Sequence, residues 1–226
     1  MKAITYTRYG PPEVLHLVDL SAPVPNDDEV LIRVRAAEAT KADCEMRSFR
    51  FSVRWFWLPL RLALGVRRPR RRILGAYFAG EIARVGKDVT GFTVGDKVFG
   101  TSGLRLGAYG EFMAAPARGT IVEKPRNMSF TDAAAVPMGG LNALHFMRLA
   151  HIHPGDRALI LGAGGSIGAH AVQIAKAMGA EVTGVDIGTK AAFLRRLGAD
   201  HVVDCATEDA LATAERYDVV FDMVPG

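Results

Sequence analysis

Residues 157–168 read RALILGAGGSIG, an apolar run that enters a glycine-rich turn, and they give the strongest indication of the fold. The run has the length of a buried strand, and residues 169–178 continue with the spacing of a helix that ends before Gly179. A second apolar strand is predicted at residues 181–185. This order of strand, glycine turn, helix and strand predicts one unit of a parallel, doubly wound sheet.

The same alternation continues toward the end of the sequence. A helix is predicted at residues 190–197, where Gly198 stops it, and strands are predicted at residues 201–203 and 217–222. The first half of the chain differs, because short alternating strands such as residues 2–7 and 30–36 are separated by glycine turns. That half is predicted to be a compact antiparallel or barrel-like domain.

The glycine turn is a candidate dinucleotide site. It follows the pattern G-x-x-G-x-x-G, whereas a strict G-x-G-x-x-G is absent because position 167 is isoleucine. Between a strand and a helix, backbone N–H groups and the positive helix end hold a pyrophosphate, and glycine lets the phosphates approach. The alternative is a tight turn without a ligand. The candidate cofactor-binding residues are Gly162, Gly165, Ser166, Ile167, Gly168, Asp186 and Lys190.

Asp186 closes the second predicted strand, eighteen residues after Gly168. A carboxylate in that position accepts hydrogen bonds from the adenosine ribose and repels a 2′-phosphate, so NAD is favoured over NADP. Lys190 and Arg195 lie close enough in sequence to neutralise the carboxylate, which keeps NADP open. The alternative role for Asp186 is to cap the helix that begins near Thr189.

Composition and charge exclude several classes. The 226 residues are 49% hydrophobic and 23% charged, with neither a signal peptide nor an apolar run long enough to span a membrane, so a cytoplasmic location is expected. The two cysteines, Cys44 and Cys205, lie far apart and predict no disulfide framework. Nine arginines and no acids fall between Met46 and Gly80, within a net charge of +4. This basic patch, set in an otherwise acidic chain, argues against nucleic acid as a partner.

Several motifs resemble a known family. Residues 74–86 (LGAYFAGEIARVG) and 94–100 (VGDKVFG) resemble the signature of the medium-chain dehydrogenase/reductase superfamily. Residues 133–137 (AAAVP) and 197–201 (LGADH) resemble its quinone-reductase branch. The resemblance implies an α/β fold in which a GroES-like, β-rich domain over residues 1–125 precedes a Rossmann NAD(P)-binding domain over residues 126–226.

Comparison with zinc-dependent members of that family implies a metal-free site. Thr40 stands where the zinc enzymes carry a cysteine, Gly75-Ala76-Tyr77 replaces their Gly-His-Glu motif, and no cysteine lies between Ser129 and His145. The resemblance then implies direct hydride transfer between the nicotinamide and a quinone, an enal or enone, or a carbonyl compound.

The resemblance also suggests three catalytic candidates. Thr40 and Asn142 are expected near the nicotinamide, and Tyr77 is expected to donate a hydrogen bond to the developing oxyanion. Quinone reductases tend to carry asparagine, threonine and aspartate, respectively, at these three positions. The alternatives are a cap or turn role for Thr40 and Asn142, and packing for Tyr77. Asp43 is interpreted as a helix cap, and the alternative is that it orients Lys41.

The arginine-rich segment 47–72 allows three interpretations. Residues 51–65 are apolar and aromatic with arginines at intervals, and five more arginines follow by position 72. The segment is a lid that shapes a pocket for a small flat substrate, an interfacial helix on anionic lipid, or a helix packed on the barrel with solvated arginines.

The sequence stops just after the fourth predicted parallel strand, whereas a complete dinucleotide fold contains two βαβαβ halves. We therefore expect a C-terminally truncated member that lacks the usual edge for a homodimer. Three functional outcomes stay open on this basis: a working reductase, a dinucleotide-binding module without turnover, and a fragment without function.

Overall fold

A computed structural model describes residues 1–51, 57–212 and 215–224. Contacts between Cα atoms divide the chain into two compact units, Met1–Pro137 and Met138–Gly226. No helix within the described ranges has the length and apolar character needed to cross a membrane.

The first unit is built on antiparallel strands. A five-stranded sheet has the order β6-β3-β4-β5-β7, and β1 and β2 form a separate pair. Helices α1 and α2 lie between β3 and β4 in the chain. The elements are β1 (Lys2–Thr5), β2 (His16–Asp19), β3 (Glu29–Ala37), α1 (Lys41–Ser48), α2 (Trp57–Leu64), β4 (Tyr77–Val85), β5 (Lys97–Thr101), β6 (Phe112–Pro116) and β7 (Thr120–Glu123).

The large sheet curls around its own core. The β3–β4 pairing shifts register twice, between Leu31 and Ile32 and between Val34 and Ala36, and such bulges bend a strand and increase its twist. The buried cluster inside the curl includes Ile32, Phe78 and Ile82, all from these two central strands. The predicted β-rich, GroES-like architecture of the first half is confirmed.

The second unit contains a four-stranded parallel sheet of order β10-β9-β8-β11. This is the order of the first half of a doubly wound dinucleotide fold together with its next strand. The α/β prediction is therefore confirmed. The elements are α3 (Phe130–Leu149), inside which the division between the units falls, β8 (Arg157–Leu161), α4 (Ser166–Ala177), β9 (Glu181–Asp186), α5 (Ala191–Arg196), β10 (His201–Asp204) and β11 (Val219–Asp222).

Small residues let α4 pack closely on this sheet. Ala171, Val172 and Ala175 are buried on the inner face of α4, against Ile160 and Val182 of the central strands. An alanine-rich helix face brings the helix backbone near the sheet, so the glycine turn that joins β8 to α4 is held between two buried elements.

Asp200 joins the end of α4 to the start of β9. Its carboxylate accepts bonds from Lys176 Nζ at 2.8 and 2.9 Å and from Val182 N at 2.7 Å. Burial raises the pKa of Asp200, but the bonds from Lys176 and Val182 outweigh it, so the net pKa lies below the usual value. A depressed pKa stabilises the fold above the unfolded-state pKa, and that stability is lost as the pH falls through the folded-state pKa.

We therefore expect part of the acid destabilisation of this chain to disappear in Asp200→Asn. For the parent chain, the urea concentration at the unfolding midpoint should decrease as the pH is lowered below about 4, where unfolded aspartates begin to bind protons. For the variant, this decrease should be smaller. Urea titrations across this pH range measure the difference. An identical decrease of the midpoint in both proteins would mean that the Lys176–Asp200 pair does not contribute to the pH dependence.

Candidate functional site

The glycine turn is tied to the end of β9 by backbone bonds. Gly162 N and Ala163 N both donate to Val185 O at 3.0 Å, and Gly165 N donates to Gly162 O at 3.1 Å. Gly162 has φ of +75°, a conformation that side chains with a Cβ rarely adopt. Because the turn is anchored at the carboxyl end of the sheet, the start of α4 is placed where parallel α/β sheets bind ligands.

The first turn of α4 begins without a side-chain cap. Its N-cap residue is Gly165, which has no side chain to bond to the helix N–H groups, and the predicted residues Ser166, Ile167 and Gly168 form the first turn. The positive end of the helix dipole therefore coincides with a glycine-rich surface. This combination suits an anionic group such as a pyrophosphate.

Two glycines in this turn are closely surrounded, Gly168 by backbone and Gly164 by side chains. A Cβ on Gly168 would lie 2.3 Å from Gly162 O and 2.7 Å from Ala163 Cα, so a side chain there would collide with backbone. A Cβ on Gly164 would lie 2.4 Å from Lys190 Cδ and 2.8 Å from Asp186 Oδ2. The turn is thus packed both against itself and against the two side chains predicted to contact the cofactor.

Asp186 folds back onto the turn. Its Oδ2 accepts a bond from Gly164 N and its Oδ1 one from Ile187 N, both at 2.8 Å, while Lys190 Nζ lies 3.0 Å from Oδ1. Burial raises the pKa of Asp186, but these bonds from Ile187, Lys190 and Gly164 lower it by more, and the net pKa is below the usual value. The carboxylate is therefore ionised at neutral pH.

Asp186 is not the N-cap of the helix that follows β9. The short 3-10 turn after β9 has Ile187 as its N-cap without a side-chain bond, and α5 begins at Ala191 after Lys190, again without one. Asp186 instead bonds to the glycine turn. The structure therefore brings together the predicted residues Gly162, Gly165, Ser166, Ile167, Gly168, Asp186 and Lys190 at one edge of the sheet.

A cavity of about 520 Å³ opens beside this edge, within the size range of small-molecule sites. Its lining combines aliphatic side chains with one thiol and four acids. These polar residues are Asp186, Cys205, Glu208, Asp209 and Asp222. Sequence reasoning missed all but Asp186, although Asp222 ends a parallel strand and that position was a usable signal.

Thr40 and Asp43 form a reciprocal capping box at the start of α1. Asp43 N donates to Thr40 Oγ1 at 3.2 Å, Thr40 N donates to Asp43 Oδ2 at 3.0 Å, and the threonine hydroxyl donates to the same Oδ2 at 2.7 Å. The predicted cap role of Asp43 is confirmed. Thr40 is the N-cap of α1, which is the cap role given as the alternative to its catalytic role, and its hydroxyl proton is donated to Asp43.

Tyr77, the first residue of β4, is half-buried. Burial raises the pKa of its phenol, and the negative charges of Glu38 and Asp43 raise it further. Tyr109, which sequence reasoning missed, has a raised pKa for the same main reason and lies beside Asp43. Both phenols therefore keep their protons at neutral pH and are able to donate hydrogen bonds.

Asn142 lies in α3, in the second unit, where its side chain is exposed. Its Nδ2 donates to Met138 O at 2.7 Å, one helical turn earlier. Thr40 and Tyr77 belong to the first unit, and Asn142 to the second. The three catalytic candidates therefore remain predictions drawn from the family resemblance.

Within the described residues, no group of three or more histidine, cysteine, aspartate or glutamate side chains is arranged to hold a metal ion. Cys44 and Cys205 are both exposed free thiols.

Two family models match the chain: the alcohol dehydrogenase GroES-like domain over residues 26–126 and the zinc-binding dehydrogenase domain over residues 166–226. An NAD-dependent alcohol dehydrogenase of Saccharolobus solfataricus is 33% identical over 96% of this chain and 67% of its own length. A 2-methylene-furan-3-one reductase of Solanum lycopersicum is 31% identical over 99% of this chain and 57% of its own length.

A solved structure is also similar. The quinone oxidoreductase from Coxiella burnetii has a TM-score of 0.86 and 35% identity, and the match covers 100% of this chain and 69% of that one. The chain thus spans 57% to 69% of the length of these three relatives.

Proposed function

Because the chain belongs to the medium-chain dehydrogenase/reductase superfamily, with quinone oxidoreductases and alcohol dehydrogenases among its relatives, we propose that it is an NAD(P)-dependent oxidoreductase of the cytoplasm. The reaction is hydride transfer between the nicotinamide and a quinone, an enal or enone, or a carbonyl compound. The observation that carries this proposal is the glycine turn at the start of α4, packed against Asp186 and Lys190 beside a cavity of about 520 Å³.

The residues of this edge have distinct roles toward the dinucleotide. The N–H groups at the start of α4 hold the pyrophosphate, and Asp186 accepts hydrogen bonds from the adenosine ribose. Lys190 balances part of the charge of Asp186. Since Glu208, Asp209 and Asp222 also border the cavity, its acidic lining disfavours a 2′-phosphate and supports NAD over NADP.

The reaction proceeds without zinc in this proposal. Thr40, Ala76 and Tyr77 stand at the positions of three ligand-motif residues of the zinc enzymes, and none of them is a strong zinc ligand. Tyr77, whose raised pKa keeps it protonated, donates a hydrogen bond to the substrate oxygen. A bound nicotinamide would supply or accept the hydride, the accompanying proton would come from or go to water or a hydroxyl group, and the chain orients and polarises the substrate.

The candidate substrates share one chemical feature. A quinone, an enone and an aldehyde each place a carbonyl oxygen where a phenol can stabilise developing negative charge. The names of the relatives include a quinone oxidoreductase and a furanone reductase, which supports acceptors with a conjugated carbonyl.

The test begins with binding. NADH and NADPH are titrated into the purified 226-residue chain while nicotinamide fluorescence and the thermal midpoint are followed, because a ligand that binds only the folded state raises that midpoint. Oxidation of NADH is then measured with benzoquinone, cyclohexenone and an aldehyde. Saturable binding with oxidation by one acceptor class supports the proposal, binding without oxidation would indicate a module that lacks turnover, and the absence of binding would refute it.

Asp186→Ser is expected to reverse the cofactor preference. Loss of charge-assisted bonds to the ribose should weaken NADH binding about 10-fold or more, while removal of the repulsion should strengthen NADPH binding relative to NADH. Asp204→Ser is the matched control, because Asp204 pairs with Asp186 in the β9–β10 register and ends the neighbouring strand. Equal changes in both variants would show that Asp186 has no specific contact with the cofactor.

A further inference from the structure

Helix α2 presents an apolar face to solvent. Trp57, Leu58 and Leu62 are 48%, 62% and 56% exposed, and Pro59 and Ala63 are exposed beside them. The less exposed residues of this helix are Leu60, Arg61 and Leu64. A helix at a water-facing surface normally places its apolar residues inward and its charges outward, so the outward face of α2 is suited to a partner that is not water.

The charged residue of α2 is on the inner side. The guanidinium of Arg61 lies 3.8 Å from the ring centroid of Phe49, 4.8 Å from that of Tyr9 and 5.3 Å from that of Trp57. Cation–π contacts of this kind stabilise an arginine away from bulk water. Tyr9 and Phe49 therefore hold the charge under the helix, the half-exposed ring of Trp57 borders it, and Leu58 and Leu62 remain outside.

Five arginines follow this helix directly. Arg67, Arg68, Arg70, Arg71 and Arg72 are all exposed, and none forms an ion pair with a carboxylate in the ranges that the structure describes. The stretch is held near the helix end, because Arg70 N donates to Leu64 O at 2.9 Å and Tyr9 Oη donates to Leu64 O at 3.0 Å. Uncompensated positive charge therefore lies next to the apolar face.

The arginines also border an apolar cavity. A cavity of about 610 Å³ is lined by Arg70, Arg71 and Arg72, together with aliphatic residues such as Val18, Leu20 and Leu106. Among the described residues of its lining none is acidic, and Arg105, the remaining charged side chain there, is already paired with Glu29. The cavity joins positive charge and apolar surface, which is the chemistry that an anion with a hydrocarbon chain requires.

We propose that α2 and Arg67, Arg68, Arg70, Arg71 and Arg72, together called the basic docking surface, bind the surface of membranes that contain anionic phospholipids. The apolar face of α2 enters the headgroup region, and the guanidinium groups bind lipid phosphates and carboxylates. A bilayer fits better than an acidic protein, because it offers an apolar layer directly beneath a plane of negative charge. The proposal does not depend on the redox function.

Vesicle binding tests this proposal with a signal from the chain itself. Both tryptophans of the sequence, Trp55 and Trp57, lie in the arginine-rich segment 47–72, so tryptophan emission reports on that segment alone. Phosphatidylcholine vesicles with phosphatidylserine are expected to shift the emission to shorter wavelength and to sediment the chain, less so at high salt. Phosphatidylcholine vesicles alone are expected to do neither.

Two variants separate charge from apolar contact. Arg67→Gln with Arg68→Gln and Arg71→Gln should weaken partitioning about 100-fold, since each arginine near an anionic surface contributes roughly fivefold. The matched control removes the same charge from Arg118, Arg126 and Arg148, which are exposed elsewhere, and should change binding far less. Leu58→Ser with Leu62→Ser should retain salt-dependent sedimentation but lose most of the emission shift.

Three results would overturn the proposal. The first is an absence of binding to anionic vesicles at low salt, and the second is an equal loss of binding in the two triple-arginine variants. The third is an emission shift that depends on protein concentration without lipid, accompanied by a dimer in size-exclusion chromatography, which would assign the apolar face to a second copy of the chain.

Discussion

Gly168→Ala is expected to abolish saturable NADH binding and to lower the free energy of unfolding by about 3 kcal/mol. The new methyl group would lie 2.3 Å from Gly162 O and within 3 Å of the Ala163 backbone. Because these contacts are with backbone rather than with flexible side chains, relief requires α4 to move away from the turn. Urea unfolding and NADH fluorescence titration measure the two effects.

Gly165→Ala is the matched control in the same turn. Gly165 has an ordinary φ of −83°, and a Cβ there would make one contact, 3.3 Å from Gly162 O, so the fold should change little. A methyl group at the uncapped start of α4 should still obstruct the pyrophosphate. Loss of NADH binding in Gly165→Ala with an unchanged free energy of unfolding would support a pyrophosphate at the start of α4. Unimpaired binding in both variants would show that the dinucleotide does not use this turn.

Asp43→Ala should lower the free energy of unfolding by about 3 kcal/mol. The buried carboxylate accepts bonds from Thr40 N, Thr40 Oγ1 and Gly75 N, and alanine leaves these donors without their acceptor. Asp43→Asn should cost less, because the amide oxygen still accepts one bond. Chemical unfolding monitored by circular dichroism measures the free energy of unfolding of the parent, Asp43→Asn and Asp43→Ala, which should decrease in that order.

The comparison for Asp43 is a similar pair of residues, one hydroxyl and one carboxylate three positions apart, which is exposed. At the start of α3, Ser129 Oγ donates to Asp132 Oδ2 at 2.6 Å and accepts from Asp132 N at 3.0 Å, but both residues are exposed. Asp132→Ala should cost about 1 kcal/mol or less, because water replaces the lost bonds. Equal losses at the two sites would mean that burial adds nothing to the role of Asp43.

The sequence predicts the parallel sheet well because its signals are local. The strand at residues 157–161 is observed with those bounds, since an uninterrupted apolar run between turn residues leaves few alternatives. The helix predicted to begin at Ala169 begins instead at Ser166. Its first turn contains glycine and a β-branched residue, so close packing of Gly168 on the turn, rather than helix propensity, fixes where it starts.

The candidate site is predictable only in part. The spacing between the glycine turn and Asp186 indicates that they are near one another, because a βαβ unit brings the two strand ends together. Sequence spacing does not reveal that Asp186 bonds to Gly164 N, nor that Glu208 and Asp209 border the same cavity, because those contacts depend on how loops return to the sheet.

The arginine-rich segment shows the limit of pattern reasoning most clearly. The residue types alone allow a lid, a lipid-facing helix or a packed helix with solvated arginines. Arg61 stacks beneath α2 on Tyr9 and Phe49, which lie outside this helix. The periodicity of the helix sequence therefore does not predict which of its faces is exposed.

The bond from Gly75 N to Asp43 Oδ1, 3.0 Å long, has a consequence for how this protein can evolve. It closes residues 44–74 into a loop whose two ends are fixed at its base. Doubling the length of a flexible stretch costs only about 0.6 kcal/mol, so changes of length in the connections between its helices should be tolerated while the base is intact. Changes of length in those connections should therefore leave Thr40 and Tyr77, just outside the base, in their positions.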